Sequence, residues 1–157
     1  MTREELKYLS RALQIADANI TNGGGPFGAV ITRHDEVLAE SANKVAIMND
    51  PTAHAEMLAI REAAGKKGSF DLSDCVLYAS CEPCPMCMGA VYWAGIKKVL
   101  YASDRMQAAD AGFDDDIIYT ELKRLPGDRS ILMEKGLEEE GRKVMERWKA
   151  FEGKVRY

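Results

Sequence analysis

The chain has 157 residues, of which 46% are hydrophobic and 29% are charged, and its net charge at pH 7 is −4. This composition is normal for one globular domain that can bury a single core. We find no apolar run long enough to cross a bilayer and no signal peptide, so we expect a cytoplasmic protein with reduced thiols. The acidic balance favours a small-molecule partner over nucleic acid or a membrane.

The first predicted element is a helix, because apolar residues recur at helical spacing from Leu6 to Ile20 and stop at the breaker NGGG. Two β-prone runs follow, FGAVITR and EVLAESAN. The polar turn between them, from Arg33 to Glu36, predicts a hairpin. His34 lies in this turn, where we expect it to be exposed to solvent.

A second helix is predicted over DPTAHAEMLAIREAAGKKG, with Asp50 as N-cap, Pro51 in the first turn and Gly65 at the stop. The run CVLYAS is typical of a buried strand, and the following cysteine cluster opens a third helix, MCMGAVYWAG. The run KKVLYAS predicts another strand. Two further helices are predicted over DDDIIYTELKRL and LEEEGRKVMERWKAF, separated by PGDRS.

Strand and helix alternate from Asp50 to Ser103, a pattern that favours parallel pairing with helices on both faces of the sheet. The leading hairpin would make that sheet mixed. Because no linker, repeat or low-complexity segment interrupts the chain, we expect residues 1–157 to form a single α/β domain.

The stretch SCEPCPMCMGA contains three of the four cysteines, and its prolines decide which of them pair. A residue before proline is kept out of the α region, so Cys81 and Cys84 cannot share a helical turn. Cys84 can instead be an N-cap, with Pro85 at the first helical position and Cys87 at the third. The positive end of the helix dipole there favours the thiolates that bind metals.

His54 is the histidine best placed to join Cys84 and Cys87, because it opens the second predicted helix. We expect that helix and the third to follow adjacent parallel strands, which would bring their N-termini to the same edge of the sheet. One nitrogen and two sulfurs with a vacant fourth position are typical of a catalytic zinc site. Cys81 is interpreted as a structural residue near the site, and Cys75 as a small core residue.

The cysteines have two other interpretations. In a structural zinc site Cys81 would complete the ligand shell, but the proline argument counts against it. A redox C-x-x-C pair would leave His54 and Glu56 unexplained. Glu56 lies two residues after His54 and suits a general acid and base beside the metal, although by itself it could be an ordinary helix-surface carboxylate.

The combination HAE and, about thirty residues later, PCPMC resembles the H-x-E…P-C-x-x-C signature of zinc nucleobase deaminases. The resemblance runs over nearly the whole chain. It implies the cytidine-deaminase-like fold, a three-layer α/β/α arrangement around a mixed five-stranded sheet. It also implies a Zn²⁺ cofactor held by His54, Cys84 and Cys87, with Glu56 carrying protons.

Within that superfamily the sequence is most similar to bacterial guanine deaminases, in GGPFGAVI, NDPTAHAE, CEPCPMC, GAVYWA, AGFDDD and the closing FEGKVRY. The resemblance implies a purine substrate, hydrolysis of guanine at C2, and a homodimer. In that dimer a C-terminal segment, about residues 136–157, would cover the neighbour's active site, and Tyr157 would help close the pocket. We could not match GLEEEGRKVMERWK to the family residue by residue.

The same resemblance implies three further substrate contacts: Phe27 stacking on the purine, Asn43 bonding its edge and Asp115 accepting from its amidine N–H groups. Each residue has an ordinary alternative. Phe27 could pack in the core, Asn43 could be a turn asparagine, and the run from Asp114 to Asp116 could cap a helix. The glycines of GGGPFG are not a phosphate loop, because no G-K-[ST] ending follows and a strand comes next.

Rival functions stay open on the sequence. A guanosine or an s-triazine such as ammeline could replace guanine as substrate. A tRNA adenosine deaminase shares HAE and PCxMC, but we expect such an enzyme to have a basic surface. A zinc-stabilised interaction domain without catalysis would not need Glu56.

Overall fold

A computed structural model describes residues 1–34 and 36–156. The chain divides into two compact units, the first being Met1–Asp115 and the second beginning at Asp116. The expectation of a single domain over residues 1–157 stays a prediction.

The first unit alternates helices and strands. Its elements in chain order are α1 Arg3–Thr21, β1 Gly28–Arg33, β2 Glu36–Ala42, α2 Val45–Met48, α3 Ala55–Lys67, β3 Cys75–Cys81, α4 Pro85–Trp93, β4 Lys98–Ser103 and α5 Arg105–Asp110. The predicted hairpin is confirmed, because β1 and β2 pair antiparallel with Arg33 opposite Glu36.

The sheet of the described residues has four strands in the order β2-β1-β3-β4, so the prediction of a five-stranded sheet was wrong. Strand β1 is antiparallel to both of its neighbours, whereas β3 and β4 are parallel. The sequence itself offers only four β-prone runs, and the fifth strand came from the family resemblance. Beyond Ser103 the described elements are helical, since the apolar residues there recur at helical spacing among many charges.

Helices cover both faces of this sheet, which confirms the three-layer α/β/α arrangement. Val30 and Tyr78 pack against Tyr8 and Leu9 of α1 on one face. On the other face a larger core joins the strands to α3 and α4; its fully buried members include Ala29, Ile31, Leu77, Ala59 and Ala63. Alternate residues of β1 therefore point into different cores, as the strand period requires.

The buried face of α1 differs from the apolar stripe read from the sequence. Leu6, Leu13 and Ile20 are 51%, 42% and 56% exposed. The residues that α1 buries are Tyr8, Leu9, Ala12, Ala16 and Asn19. At Ala12 and Ala16 the helix backbone comes very close to β1: a Cβ atom on Gly28 would lie 2.3 Å from the carbonyl oxygen of Ala12.

Helix α3 starts and ends later than predicted. Asp50 is not its N-cap, because Asp50 Oδ1 accepts hydrogen bonds from the backbone nitrogen and the hydroxyl of Thr52 and so closes a separate turn. The N-cap is His54. The helix continues through Gly65 and ends at Gly68, whose φ of 68° is the left-handed conformation that glycine adopts without strain.

Helix α4 begins as the prolines predicted. Cys84 is the N-cap with extended dihedral angles (φ −63°, ψ 169°), and Pro85 occupies the first helical position. Proline fits there because its missing N–H has no partner in the first turn of a helix.

The second unit contains α6 Asp116–Lys123, a 3-10 turn Pro126–Asp128 and α7 Glu138–Ala150. The two helices predicted in this region are therefore confirmed. On α7, Arg142 pairs with Glu139 and with Glu146 at helical spacing. In the part of the chain that the structure describes, no helix has the length and apolar character to cross a membrane.

Candidate active site

The candidate site lies where β2 and β3 end. Both strands are antiparallel to β1, so they run in the same direction and their carboxyl ends lie at the same edge of the sheet. The expectation that these strands are adjacent was wrong, because β1 lies between them. Helices α3 and α4 nevertheless both begin at this edge, since each follows one of the two strands.

Three side chains with metal-binding atoms meet at these helix N-termini. The Nδ1 atom of His54 lies 3.6 Å from the sulfur of Cys84 and 3.6 Å from the sulfur of Cys87. All three donor atoms lie within 4.8 Å of one another. His54 and Cys84 are the N-caps of α3 and α4, and Cys87 is one turn further along α4.

The cluster fits a zinc ion in chemistry and in spacing. Zinc takes imidazole nitrogen at about 2.0 Å and thiolate sulfur at about 2.3 Å, so two such ligands on a tetrahedral ion stand about 3.5 Å apart. The observed 3.6 Å separations agree with that value. One nitrogen and two sulfurs leave a fourth position for water or substrate, as catalytic zinc sites require.

The surroundings favour a thiolate at Cys84. Hydrogen bonds from the Cys87 thiol and, next, from His54 hold the pKa of the Cys84 thiol well below its ordinary value. The same hydrogen bond between His54 and Cys84 raises the pKa of the imidazole. Because Cys84 is also at the N-terminus of α4, the helix dipole adds to the stabilisation of negative charge there.

Glu56 lies beside this cluster and is buried, with 7% of its surface exposed. Burial is the main cause that raises the pKa of its carboxyl group above the ordinary value. A carboxyl group in such surroundings keeps a proton at a pH where an exposed glutamate has lost it. The raised pKa makes Glu56 a stronger base than an exposed glutamate, as a group that carries protons during a reaction needs to be.

A cavity of about 570 Å³ opens over the cluster. Its wall includes His54, Glu56 and Cys84. It also includes Phe27, Asn43 and Asp115, the described residues for which a substrate contact was predicted. The structure thus places all of these side chains around one space large enough for a purine.

Phe27 and Asn43 line neighbouring parts of the wall. The Phe27 ring meets the Phe113 ring edge-to-face, with 4.8 Å between the ring centroids, and also packs against the core. Asn43 is buried, and its backbone N–H donates to the Phe27 carbonyl over 3.0 Å. The Asn43 Oδ1 atom accepts from the backbone N–H of Val45 over 3.2 Å.

Asp115 lies at the end of the first unit and is partly buried in the wall. Burial is the first cause that raises the pKa of its carboxyl group, and the nearby Cys84 sulfur is the second. Tyr157, predicted to close the pocket, is outside the described residues. His34 is exposed in the turn after β1, as expected, and takes no part in the cluster.

Cys75 and Cys81 stay outside the three-ligand cluster. Cys75 is buried at the start of β3 and belongs to the core. The Cys81 thiol is directed to the carbonyl oxygen of Asp104 over 3.6 Å, and burial raises its pKa to about 11. Cys81 therefore lies in the cavity wall without belonging to the group of three donor atoms.

Sequence reasoning missed several residues of the wall. Glu82 and Arg105 line the cavity, and Glu82 accepts a hydrogen bond from the Arg105 backbone N–H over 3.2 Å. Phe113, the partner of Phe27, and the glycines Gly23–Gly25 also line it. The only signal for the glycines was their position directly before a strand that leads into the site; nothing in the sequence pairs Phe113 with Phe27.

Comparison with known proteins agrees with this geometry. A family model described as the cytidine and deoxycytidylate deaminase zinc-binding region matches residues 2–103, which include the whole three-ligand cluster. The chain belongs to this family. Membership confirms the predicted cytidine-deaminase-like α/β fold.

Within the cytidine and deoxycytidylate deaminase family, the likeness to one relative covers nearly the whole chain. A guanine deaminase of Bacillus subtilis (strain 168) is 46% identical over 151 residues, which are 96% of this chain and 97% of the relative. The X-ray structure of a guanine deaminase from Bacillus subtilis has a TM-score of 0.94 at 45% identity and covers 100% of this chain and 99% of that one.

A second relative has a different activity in its name. A tRNA-specific adenosine deaminase of Aquifex aeolicus (strain VF5) is 40% identical over 96 residues, which are 61% of this chain and 64% of the relative. The likeness to the guanine deaminase is thus both higher in identity and longer.

Proposed function

We propose that this protein is a zinc-dependent guanine deaminase, which hydrolyses guanine to xanthine and ammonia. The observation that carries the proposal is the meeting of His54, Cys84, Cys87 and the buried Glu56 in one cavity. The similarity to a guanine deaminase over nearly the full chain supports the choice of base.

The three ligands of the cluster would hold Zn²⁺. When bound, zinc lowers the pKa of a water molecule to about 7 and so makes a nucleophile at neutral pH. Cys84 and Cys87 contribute sulfur from the first turn of α4, and His54 contributes Nδ1 from the start of α3. The ion would therefore be held by residues at the N-termini of two helices.

Glu56 would move the protons of the reaction. Its carboxylate accepts the proton that the attacking water loses and passes it to a ring nitrogen of the purine. It then accepts the remaining proton of the hydroxyl group now on C2 and delivers it to the departing amino group, while C2 becomes a carbonyl carbon. Water thus adds at C2, the bond from C2 to the amino nitrogen breaks, and ammonia leaves. In support of this role, burial raises the pKa of the Glu56 carboxyl group and so makes it a stronger base.

Phe27, Asn43 and Asp115 would orient the base. Phe27 stacks on the purine ring, and the amide of Asn43 bonds to a polar atom on the purine edge. Asp115 accepts from the N–H donors that guanine presents at N1 and at its 2-amino group. Adenine lacks a donor at N1, so a site built around this carboxylate rejects it.

A panel of ammonia-release assays on the zinc-loaded protein tests the choice of base. The panel contains guanine, guanosine, adenine, cytosine, ammeline and a tRNA anticodon stem. We expect guanine to have the highest kcat/KM. A preference for guanosine or ammeline would correct the substrate within the same reaction class, and release of ammonia from the tRNA stem alone would replace the proposal with RNA editing.

We also propose a homodimer in which the segment of about residues 136–157 covers the partner's site, with Tyr157 at its end. In support, α7 leaves Val144, Met145 and Trp148 61%, 66% and 47% exposed. Apolar side chains exposed together on one helix are typical of a surface that another chain covers. The expected cytoplasmic location stays a prediction.

Mixing two inactive variants tests whether the C-terminal segment of one chain covers the active site of its partner. One variant lacks residues 136–157, and the other is full-length Glu56→Gln. In a mixed dimer, the truncated chain keeps its own Glu56 and receives the tail of its partner, so we expect activity to return on mixing. Light scattering must find dimers in every sample, and a mixture without activity would contradict the exchange.

A further inference from the structure

Asn19 is a buried polar residue that lies outside the three-ligand cluster, near the end of α1, and is 6% exposed. Its Nδ2 atom donates two hydrogen bonds of 2.8 Å, one to the carbonyl oxygen of Gly25 and one to that of Asn43. Because both acceptors are carbonyl oxygens, the amide nitrogen must face them. One side chain thus ties together two segments of the cavity wall.

The bond from Asn19 to the Asn43 carbonyl oxygen is one of three hydrogen bonds that hold Asn43 in place. The Asn43 N–H donates to Phe27, the Asn43 carbonyl accepts from Asn19, and Oδ1 accepts from Val45. Among the described residues, the Asn43 Nδ2 atom has no hydrogen-bond acceptor, while Asn43 lines the cavity. Asn43 Nδ2 therefore remains as a donor for a ligand, and the hydrogen bond from Asn19 helps to fix its position.

Close packing leaves this arrangement little freedom. A Cβ atom on Gly24 would lie 2.2 Å from Asn19 Nδ2 and 2.5 Å from the Asn43 carbonyl oxygen, so only glycine fits there. The Gly24 N–H also donates to the Asn19 carbonyl over 3.1 Å. Helix α1 is itself fixed on the sheet by its close approach to Gly28.

We infer that Asn19 is a positioning residue for substrate recognition: through Asn43 it sets the polar contact to the base without touching the base. This inference rests on the proposed function, because it assigns Asn43 to the purine edge. It adds a residue from α1, on the opposite face of the sheet from α3 and α4, to the determinants of that site.

A double-mutant cycle on the zinc-loaded protein separates this role from general stabilisation. The variants are Asn19→Ala, Asn43→Ala and the double variant, with Asn22→Ala as control, since Asn22 is exposed at the end of the same helix. We expect Asn19→Ala to raise KM for guanine about tenfold and to leave kcat within about threefold, the size of one lost hydrogen bond. Zinc content and the Asn22→Ala kinetics should be unchanged.

The decisive comparison is the effect of Asn19→Ala when Asn43 is already alanine. If Asn19 acts through Asn43, the second substitution should leave KM unchanged, so that the two effects are fully non-additive. Equal losses in both backgrounds, or a lower melting temperature with an unchanged KM, would overturn the inference.

Crystal structures of the wild type and of Asn19→Ala give a readout that needs no turnover. We expect the Asn43 carbonyl to move by more than about 0.5 Å in Asn19→Ala and to stay in place in Asn22→Ala. If the wild type deaminated no base of the panel, the proposed function would fail, and these structures alone would decide whether Asn19 positions Asn43. An unmoved Asn43 would reject the inference.

Discussion

His54 and Cys84 are 30 residues apart in the chain, yet the Nδ1 atom of the first lies 3.6 Å from the sulfur of the second. The contact is possible because each residue is the N-cap of a helix that begins at the same edge of the sheet. The metal cluster therefore depends on two helix starts and on the strands that place them, rather than on one local loop.

The three-ligand cluster predicts that loss of one sulfur removes the metal. We expect Cys84→Ala to contain little zinc by elemental analysis, and its melting temperature should no longer rise when zinc is added. Cys75→Ala is the matched control, because Cys75 is buried in the core outside the cluster. The control should keep about one zinc per chain; zinc retained by Cys84→Ala would contradict the assignment.

The buried carboxyl group of Glu56 predicts a loss of rate without a loss of metal. Glu56→Gln keeps the volume of the side chain but cannot carry protons, so we expect kcat to fall on the order of 10²–10⁴-fold. Zinc content should stay at the wild-type value. Glu62→Gln, on the exposed part of the same helix, serves as control and should have normal kinetics. A near-normal rate for Glu56→Gln would remove its role as proton carrier.

The position of Asp115 in the cavity wall predicts a change in substrate binding. In Asp115→Asn an amide replaces the acceptor-only carboxylate, and one of its N–H groups would face the donors of guanine. We expect KM for guanine to rise about 10- to 100-fold. Asp110→Asn, at the exposed end of α5, should leave KM unchanged. An unaltered KM in Asp115→Asn would place the recognition of N1 elsewhere.

We predict that replacing glycine by alanine has opposite effects on the free energy of unfolding at Gly28 and at Gly65. Gly28→Ala would place Cβ 2.3 Å from the Ala12 carbonyl oxygen and 2.8 Å from the Ala16 nitrogen, so it should lower the free energy of unfolding by about 1–3 kcal/mol. Gly65 lies inside α3 with open space around it, and Gly65→Ala should raise that free energy by about 0.5–1 kcal/mol. Urea unfolding measures both; equal effects would contradict the close packing of α1 on β1.

Asp74 predicts a dependence of stability on pH. Its carboxylate accepts from Lys67 Nζ and from Arg33 Nε, and these bonds, the Lys67 bond most strongly, hold the pKa of Asp74 well below its ordinary value. A depressed pKa in the folded state means that the stabilisation is present above the unfolded-state pKa of about 3.9 and is lost as the pH falls further.

We therefore expect Asp74→Asn to melt at a lower temperature than the wild type at pH 7, and the difference to narrow below about pH 4. The exposed Asp17 provides the control: the difference caused by Asp17→Asn should vary much less between these pH values. A difference for Asp74→Asn that stayed constant from pH 7 to pH 3 would show that the ion pairs do not contribute.

The sequence correctly predicted the residue at which helix α4 of the site begins. Two prolines fixed Cys84 as an N-cap with Pro85 after it, because their constraint on the backbone does not depend on the rest of the fold. The same kind of reasoning was less successful for Asp50, which had the right residue type for an N-cap but closes a turn four residues before the actual N-cap, His54. Capping propensity alone does not tell one turn from the next.

Contacts between distant segments were beyond such reasoning. Nothing in the sequence singles out Asn19, and its hydrogen bond to the Asn43 carbonyl forms only because α1 packs close enough to reach it. The exposure of Leu6, Leu13 and Ile20 was equally hard to predict, because the face that α1 buries is set by its close approach to Gly28 at Ala12 and Ala16. The fifth strand was predicted from the family resemblance alone, whereas the apolar residues after β4 recur at helical spacing.

The direction of β1 has a practical consequence for labelling the molecule. Its first residue, Gly28, is next to the cavity residue Phe27, whereas its last, Arg33, lies at the far end of a strand of six residues, roughly 20 Å away. A short epitope or a dye-binding peptide inserted between Arg33 and Glu36 would thus extend from the side of the sheet remote from the metal ligands. Such a fusion offers a handle for surface immobilisation that leaves the mouth of the cavity accessible.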